Sequence, residues 1–317
     1  MSTNHLLDPE IRPIIEQLPS MEMSLATLPM VRQATAEMMY GKSDADAVNV
    51  TRDEVYAPGL NGGPDVRCLR YSSNARRTPS PAYIHIHGGG YLLGAPEMMD
   101  IWNLQAAAEQ SLLVLSVDYR LAPENPIPAP LDDCYAVLAW VHENAEALGV
   151  DPTRIAVGGE SAGGGLAAAL ALRARDAGDY PIHFQLLVVP MIDDRTGTAA
   201  VPGHPTTGEF VWTREKNQLG WNAYLGDAPR AAPQVPSRAE TLRGLPSTWL
   251  ATAQLDLFRD ENIEYAQRLM DDEVATELAI YPSVCHGWQM AEEAAVSKRY
   301  KRDYFEALRR GIDAELI

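Results

Sequence analysis

The spacing of hydrophobic positions changes character near residue 45. Before it, apolar residues recur at helical intervals. Ile11, Ile14, Ile15 and Leu18 form one stripe, and Leu28, Val31, Ala34, Met38 and Met39 form a second, which predicts two short amphipathic helices. After it, short apolar runs alternate with longer helical patterns. Strands are expected at 48–57, 65–71, 82–87, 111–118, 154–159, 183–189, 247–253 and 276–281. Helices are expected at 97–109, 131–147, 161–176, 215–225, 260–271 and 293–310. Runs such as Leu112–Val117 and Leu186–Val189 are apolar throughout, as a strand buried on both faces must be. The alternation therefore predicts an α/β fold with an open, mostly parallel eight-stranded sheet flanked by helices. Only a GLNGGPD turn separates the first two strands, so the sheet should start antiparallel.

Residues 190–245 break the rhythm. The segment is rich in Pro and Gly and carries Phe210, Trp212, Trp221 and Tyr224. A stretch this long between two strands reads as a lid or binding loop. The Met-rich N-terminal helices admit two readings, ordinary packing or an adaptable apolar lid. Met38, Met39, Tyr40, Phe210, Trp212 and Trp221 are the apolar pocket candidates from these two segments. The expected organisation is N-terminal cap helices at 1–45 and a main domain at 46–317, with a cap insertion at about 190–245.

The 317 residues suffice for one large core without disulfides or metals. The net charge of −17 argues against nucleic acid and against anionic lipid as partners. Three cysteines, Cys68, Cys134 and Cys285, cannot all pair within the chain and form no CxxC. They suggest a reduced, cytoplasmic setting. The first twenty residues lack the basic start and apolar core of a signal peptide. The apolar run Leu166–Leu172 is too short to cross a bilayer, and no membrane insertion is expected.

The chemistry is concentrated in a few motifs. RIAVGGESAGGGLAAALAL (154–172) runs from a strand through Gly159-Glu160-Ser161-Ala162-Gly163 into an Ala-rich helix. This is a G-x-S-x-G nucleophile elbow in its strand–turn–helix setting. Side chains at Gly159 and Gly163 would collide with backbone in so tight a turn. The helix that begins there aims its amides and dipole at charge forming beside Ser161. A phosphate loop would need Lys-Ser or Lys-Thr after the glycines, and a dinucleotide fingerprint would need the glycines directly after the strand; neither fits.

AYIHIHGGGY (82–91) ends a strand at His87 and continues into three glycines, which let backbone N–H groups approach an oxyanion. Gly89, Gly90 and Ala162 are the expected donors, with Gly88 shaping the turn. His85 and His87 share a strand face and could suggest a metal pair. No further ligand follows at short spacing, so His87 is read as a support for the glycine turn and His85 as structural. Behind such an elbow the chain order is serine, acid, histidine. Asp256 is the first acid after the 247–253 strand, while Asp260 and Glu261 fit the start of the next helix. His286, in a loop before Gly287, is the expected base. His142 falls mid-helix, Cys285 has no elbow around it, and His5, His183 and His204 lack comparable context.

With HGGGY (87–91), DYRLAPE (118–124), PAPLDD (128–133), GESAGGG (159–165), DLFRDE (256–261) and HGW (286–288) in this order, the chain resembles the bacterial hormone-sensitive-lipase-like esterases of the α/β-hydrolase fold. The resemblance implies a Ser161–Asp256–His286 triad, a helical cap, and hydrolysis of short- to medium-chain acyl esters without a cofactor. Glu160 stands where Asp is commoner. Trp288 stands where Phe is usual, and with Tyr91 it joins the pocket candidates. Two alternatives remain on this fold: a non-catalytic receptor, which resembles these esterases but lacks the histidine, and acyl transfer by the same triad. Esterases of this type often form homodimers, and no motif here decides that.

Overall fold

The computed structural model describes residues 2–18, 22–39 and 49–313. Eight strands form one sheet in the order β1-β2-β4-β3-β5-β6-β7-β8. They are β1 (Val50–Ala57), β2 (Val66–Ser73), β3 (Ser80–Ile86), β4 (Leu113–Val117), β5 (Val150–Glu160), β6 (Phe184–Val188), β7 (Ser247–Ala253) and β8 (Thr276–Tyr281). β1 pairs antiparallel with β2, as the short turn predicts, and β2 is also antiparallel to β4. Every other pair is parallel.

Alternation along each strand sends side chains to opposite faces. Ile84 and Ile86 join one core with Val157, Leu166 and Leu170, and Tyr83 joins the other with Trp249 and Tyr304. The first core is covered by α4 (Ala129–Glu143), α6 (Ala162–Ala177) and α8 (Arg259–Asp271). The second is covered by α3 (Asp100–Gln110), α9 (Ala295–Asp313) and α1 (Arg12–Gln17). Every residue of α6 from Ala162 to Leu172 is buried, and its alanines let the sheet and α4 come close. Trimming Leu170 to Ala there would cost about 2–5 kcal/mol.

Most boundaries shift by one to three residues from the sequence reading, and two differ by more. β5 starts at Val150, after the left-handed Gly149, and shifts register against β3 between Ser80 and Ala82. The helix expected at 131–147 splits at Asn144 into α4 and a short α5 (Ala145–Leu148). The segment between β6 and β7 carries α7 (Arg214–Leu225), begun by Thr213, whose hydroxyl accepts from the Lys216 amide. In the N-terminal segment α1 and α2 (Leu28–Met39) match the two expected helices. Among the described residues no helix is long and apolar enough to cross a membrane.

Candidate active site

Parallel pairing sets His85 beside Gly158 and Ile86 beside Gly159, so β3 and β5 end next to each other. The loops that follow them form the floor of the site. Ser161 turns out of β5 with φ 54° and ψ −119°, a backbone region costly for any residue but glycine. Three bonds hold it there: its N–H donates to Val188 O at 2.9 Å, and its carbonyl accepts from Gly165 and Met191, each at 2.9 Å. A Cβ on Gly159 or Gly163 would run into the Ile86 carbonyl, so both glycines are required by contact with β3. A Cβ on Gly88 would lie 2.9 Å from Glu160 O and 3.4 Å from Ser161 Cβ, which puts the glycine turn against the serine.

In that turn Gly89, Gly90 and Tyr91 all have positive φ, at 121°, 62° and 65°. The Gly89 carbonyl accepts from the Leu92 and Leu93 amides. The amides of Gly88, Gly89 and Gly90 donate to no oxygen among the described residues, and Ala162 opens α6, where a helix leaves its amides unpaired. The turn is braced by His87. Its Nδ1 donates to Gly88 O at 2.8 Å, its ring stacks on Tyr119 at 4.3 Å, and its carbonyl accepts from the Tyr119 hydroxyl. Burial lowers the His87 pKa to about 4, so the ring is neutral. His85 is engaged at both nitrogens, with Ser116 Oγ at 3.1 Å and the buried Glu160 carboxylate at 3.0 Å.

Asp256 and His286 come from the loops after β7 and β8. The two loops are zipped together by Gln254 N to Tyr281 O and Leu255 N to Val284 O, each at 2.9 Å. Asp256 is wholly buried; Oδ1 accepts from the Phe258 amide at 2.9 Å, and Oδ2 accepts from His286 Nδ1 at 2.6 Å. The imidazole is held from the sides by Phe258, edge-on at 5.4 Å, and by Trp212 at 6.3 Å. The Trp212 ring also abuts Gly90 so closely that a Cβ there would overlap it. One indole therefore spans from the glycine turn to the histidine. Val211, before it, has φ 59° in a tight turn closed by Trp212 N to Phe210 O, and Lys216 Nζ donates to the Val211 carbonyl at 2.7 Å.

A family profile described as the alpha/beta hydrolase fold matches residues 83–290, from the glycine turn through the histidine loop. The chain belongs to the α/β-hydrolase family, in its hormone-sensitive-lipase-like branch. It is 33% identical over 290 residues to "Carboxylesterase NlhH" of Mycobacterium tuberculosis, covering 88% of this chain and 89% of that protein. Among solved structures it is similar to "Bacterial Heroin Esterase", with a TM-score of 0.92 at 40% identity, covering 99% of this chain and 100% of that one. Esterase LipW of Mycobacterium marinum follows with a TM-score of 0.87 at 34% identity, covering 98% of both chains.

Within this α/β-hydrolase the aromatic pocket candidates divide. Trp212 faces the site, and Phe210 is half-buried and packs against the second core. Trp221 is wholly buried against Tyr91 and Tyr224, and Trp288 is wholly buried against Tyr281 and Tyr300. Both therefore pack in the cores. Tyr91 is a post: its ring stacks on Tyr224 at 3.9 Å, and its hydroxyl donates to Met191 O at 2.9 Å. The Met39 side chain and Tyr40 lie outside the described residues. Phe258 escaped the sequence reading, although an apolar residue two places after the acid was its signal. Glu261 is more than a helix-start acid. It is buried with its pKa pushed well up, and accepts from the Ile192 and Asp193 amides, tying α8 to the chain leaving β6. Burial, with the Asp256 charge adding, raises the Cys285 thiol pKa to about 12, which leaves it unreactive. His142 is bound to Pro181 O at the end of α4.

Proposed function

We propose that this hydrolase cleaves short- to medium-chain carboxylic esters through an acyl-enzyme on Ser161. The observation that carries the reading is the 2.6 Å bond that His286 Nδ1 donates to buried Asp256, beside a serine held at left-handed φ on a nucleophile elbow. Donation from Nδ1 leaves Nε2 as the basic nitrogen of neutral His286. His286 takes the proton as Ser161 Oγ attacks the ester carbonyl. The tetrahedral oxyanion accepts from the Gly89, Gly90 and Ala162 amides; losing one such donor costs about 3–4 kcal/mol of transition-state stabilisation. His286 then protonates the leaving alcohol, and a water activated by the same nitrogen releases the acid. Asp256 keeps the tautomer and stabilises the imidazolium throughout.

We assign as the cap over this main domain residues 1–45, of which 2–18 and 22–39 are described, together with about 190–245. Three contacts support that role. Thr3 N donates to Glu209 Oε2 at 2.6 Å, Asp8 N donates to Ser283 O at 2.8 Å, and α2 reaches the glycine turn through Arg32. The three cysteines are free and buried, in keeping with a cytoplasmic protein. For self-association we propose the outer edge of β8, which pairs with no strand among the described residues and exposes Ile280.

The test is hydrolysis of p-nitrophenyl esters from acetate to dodecanoate, wild type beside Ser161→Ala. Turnover of the shorter esters by wild type and none by Ser161→Ala is the expected result. Equal activity in both would remove Ser161 from the chemistry.

A further inference from the structure

We infer that Arg32, on the N-terminal helix α2, is a positioning residue for the oxyanion-binding turn. The inference rests on the ester-hydrolase reading above and adds a residue that no catalytic motif contains. Arg32 follows the buried Val31 and lies one helical turn from the buried Leu28. Its guanidinium makes four bonds at 2.8 Å. Nε donates to Leu92 O, Nη2 to Ala122 O, and Nη1 and Nη2 grip the two carboxylate oxygens of Glu124 as a fork.

The two carbonyls matter because of what else their residues hold. Leu92 N donates to the carbonyl of Gly89, so Leu92 fixes the glycine turn at one end and is itself fixed by Arg32 at the other. Ala122 N donates to Tyr91 O at 3.0 Å, so the turn leaving Gly90 is tied to the same loop that Arg32 holds. Tyr91, the one non-glycine residue of the turn's three at positive φ, sits at 65°, a costly conformation that persists only where its flanks are pinned. Only Arg presents enough donors, in a planar fork, to hold two backbone carbonyls and a carboxylate together. The Glu124 carboxyl in turn has its pKa lowered by Arg32, which keeps the fork charged. A residue of the N-terminal segment thus closes a bracket around the amides that meet the transition state. Helix docking and oxyanion geometry become one event.

An amide set that drifts from the oxyanion weakens transition-state binding more than substrate binding. The expected signature is a lower kcat at constant KM. The experiment compares wild type, Arg32→Gln, Arg32→Lys and Glu124→Gln in steady-state hydrolysis of p-nitrophenyl butyrate. Each is also titrated with an aryl trifluoromethyl ketone, whose serine adduct carries an oxyanion. Arg32→Gln should lose tenfold or more in kcat with KM within twofold of wild type, and ketone affinity should fall by the same factor as kcat/KM. Arg32→Lys, able to reach one carbonyl, should recover part of both. Glu124→Gln, which leaves Arg32 in place without its fork, should show the same pattern more weakly and covers the case of an Arg32 variant that fails to fold. Unchanged kcat and ketone affinity in these variants, or a rise in KM alone, overturns the inference while leaving an active Ser161-dependent enzyme. An inert wild type overturns the ester reading and this inference together.

Discussion

His87 offers a way to weigh how the glycine turn is held. The ring is wholly buried, donates from Nδ1 to Gly88 O, and has an Nε2 with no partner among the described residues. Protonation would create a buried N–H⁺ facing no acceptor, which is why burial lowers the pKa from 6.5 to about 4. In the unfolded chain the group titrates near its ordinary value. Between those two pH values the unfolded state binds the extra proton and the folded state does not, so stability rises with pH across the window. The contribution is complete above pH 6.5, is lost as the pH falls, and is gone by about pH 4. The displacement of the pKa to about 4 corresponds to about 3 kcal/mol over that interval. His87→Asn keeps a donor near Gly88 O and removes the titration. Urea unfolding of both proteins at half-unit steps from pH 8 to pH 4 should show a constant stability difference above pH 6.5. Below it, wild type should lose about 3 kcal/mol relative to the variant. Two parallel curves over the whole range would refute the argument, since they would mean that His87 titrates alike in both states.

Two further outcomes test the site. Asp256→Asn should leave the fold intact but lower kcat by about four orders of magnitude, because an amide no longer fixes the tautomer of His286. A loss under tenfold in steady-state kinetics would show that the carboxylate does not govern the imidazole. Gly90→Ala adds a Cβ at φ 62°, where the Trp212 ring already stands. The left-handed backbone alone costs about 1–2 kcal/mol. We expect kcat to fall by about a hundredfold, as for a lost oxyanion donor. A second substitution, Trp212→Ala, should restore part of it, and a double variant no better than the single would place the damage in the backbone.

Much of the site was legible because its parts are short and local. The elbow, the three glycines after His87 and the order Ser161, Asp256, His286 all sit where a strand ends, and periodicity locates strand ends well. What spacing does not carry is the partner of a side chain. Trp212, Trp221 and Trp288 are all pocket candidates by sequence, yet the first faces His286 while the other two pack among tyrosines from distant elements. The same holds for Glu261. Its position fits a helix start, but the Ile192 and Asp193 amides that bury it arrive from β6. The break at Asn144, where the side-chain amide bonds back to Trp140 O, and the early start of β5, which pairs Val150 with Ser80 of β3, went unread because no local pattern records either. Arg32 was invisible for a simpler reason: all of its acceptors lie more than fifty residues away.

The turn after α6 divides the molecule in an instructive way. Gly178 is exposed and left-handed, with nothing near the position of a Cβ. A cut there separates a piece that owns the serine elbow and the glycine turn from one that owns the acid and the imidazole. Each half is chemically mute, yet the two share a long apolar seam, with β6 laid in register on β5 from Ala156 to Glu160. Ester turnover by such a pair would read out their reunion, so this chain contains the makings of a split enzyme whose colour reports association.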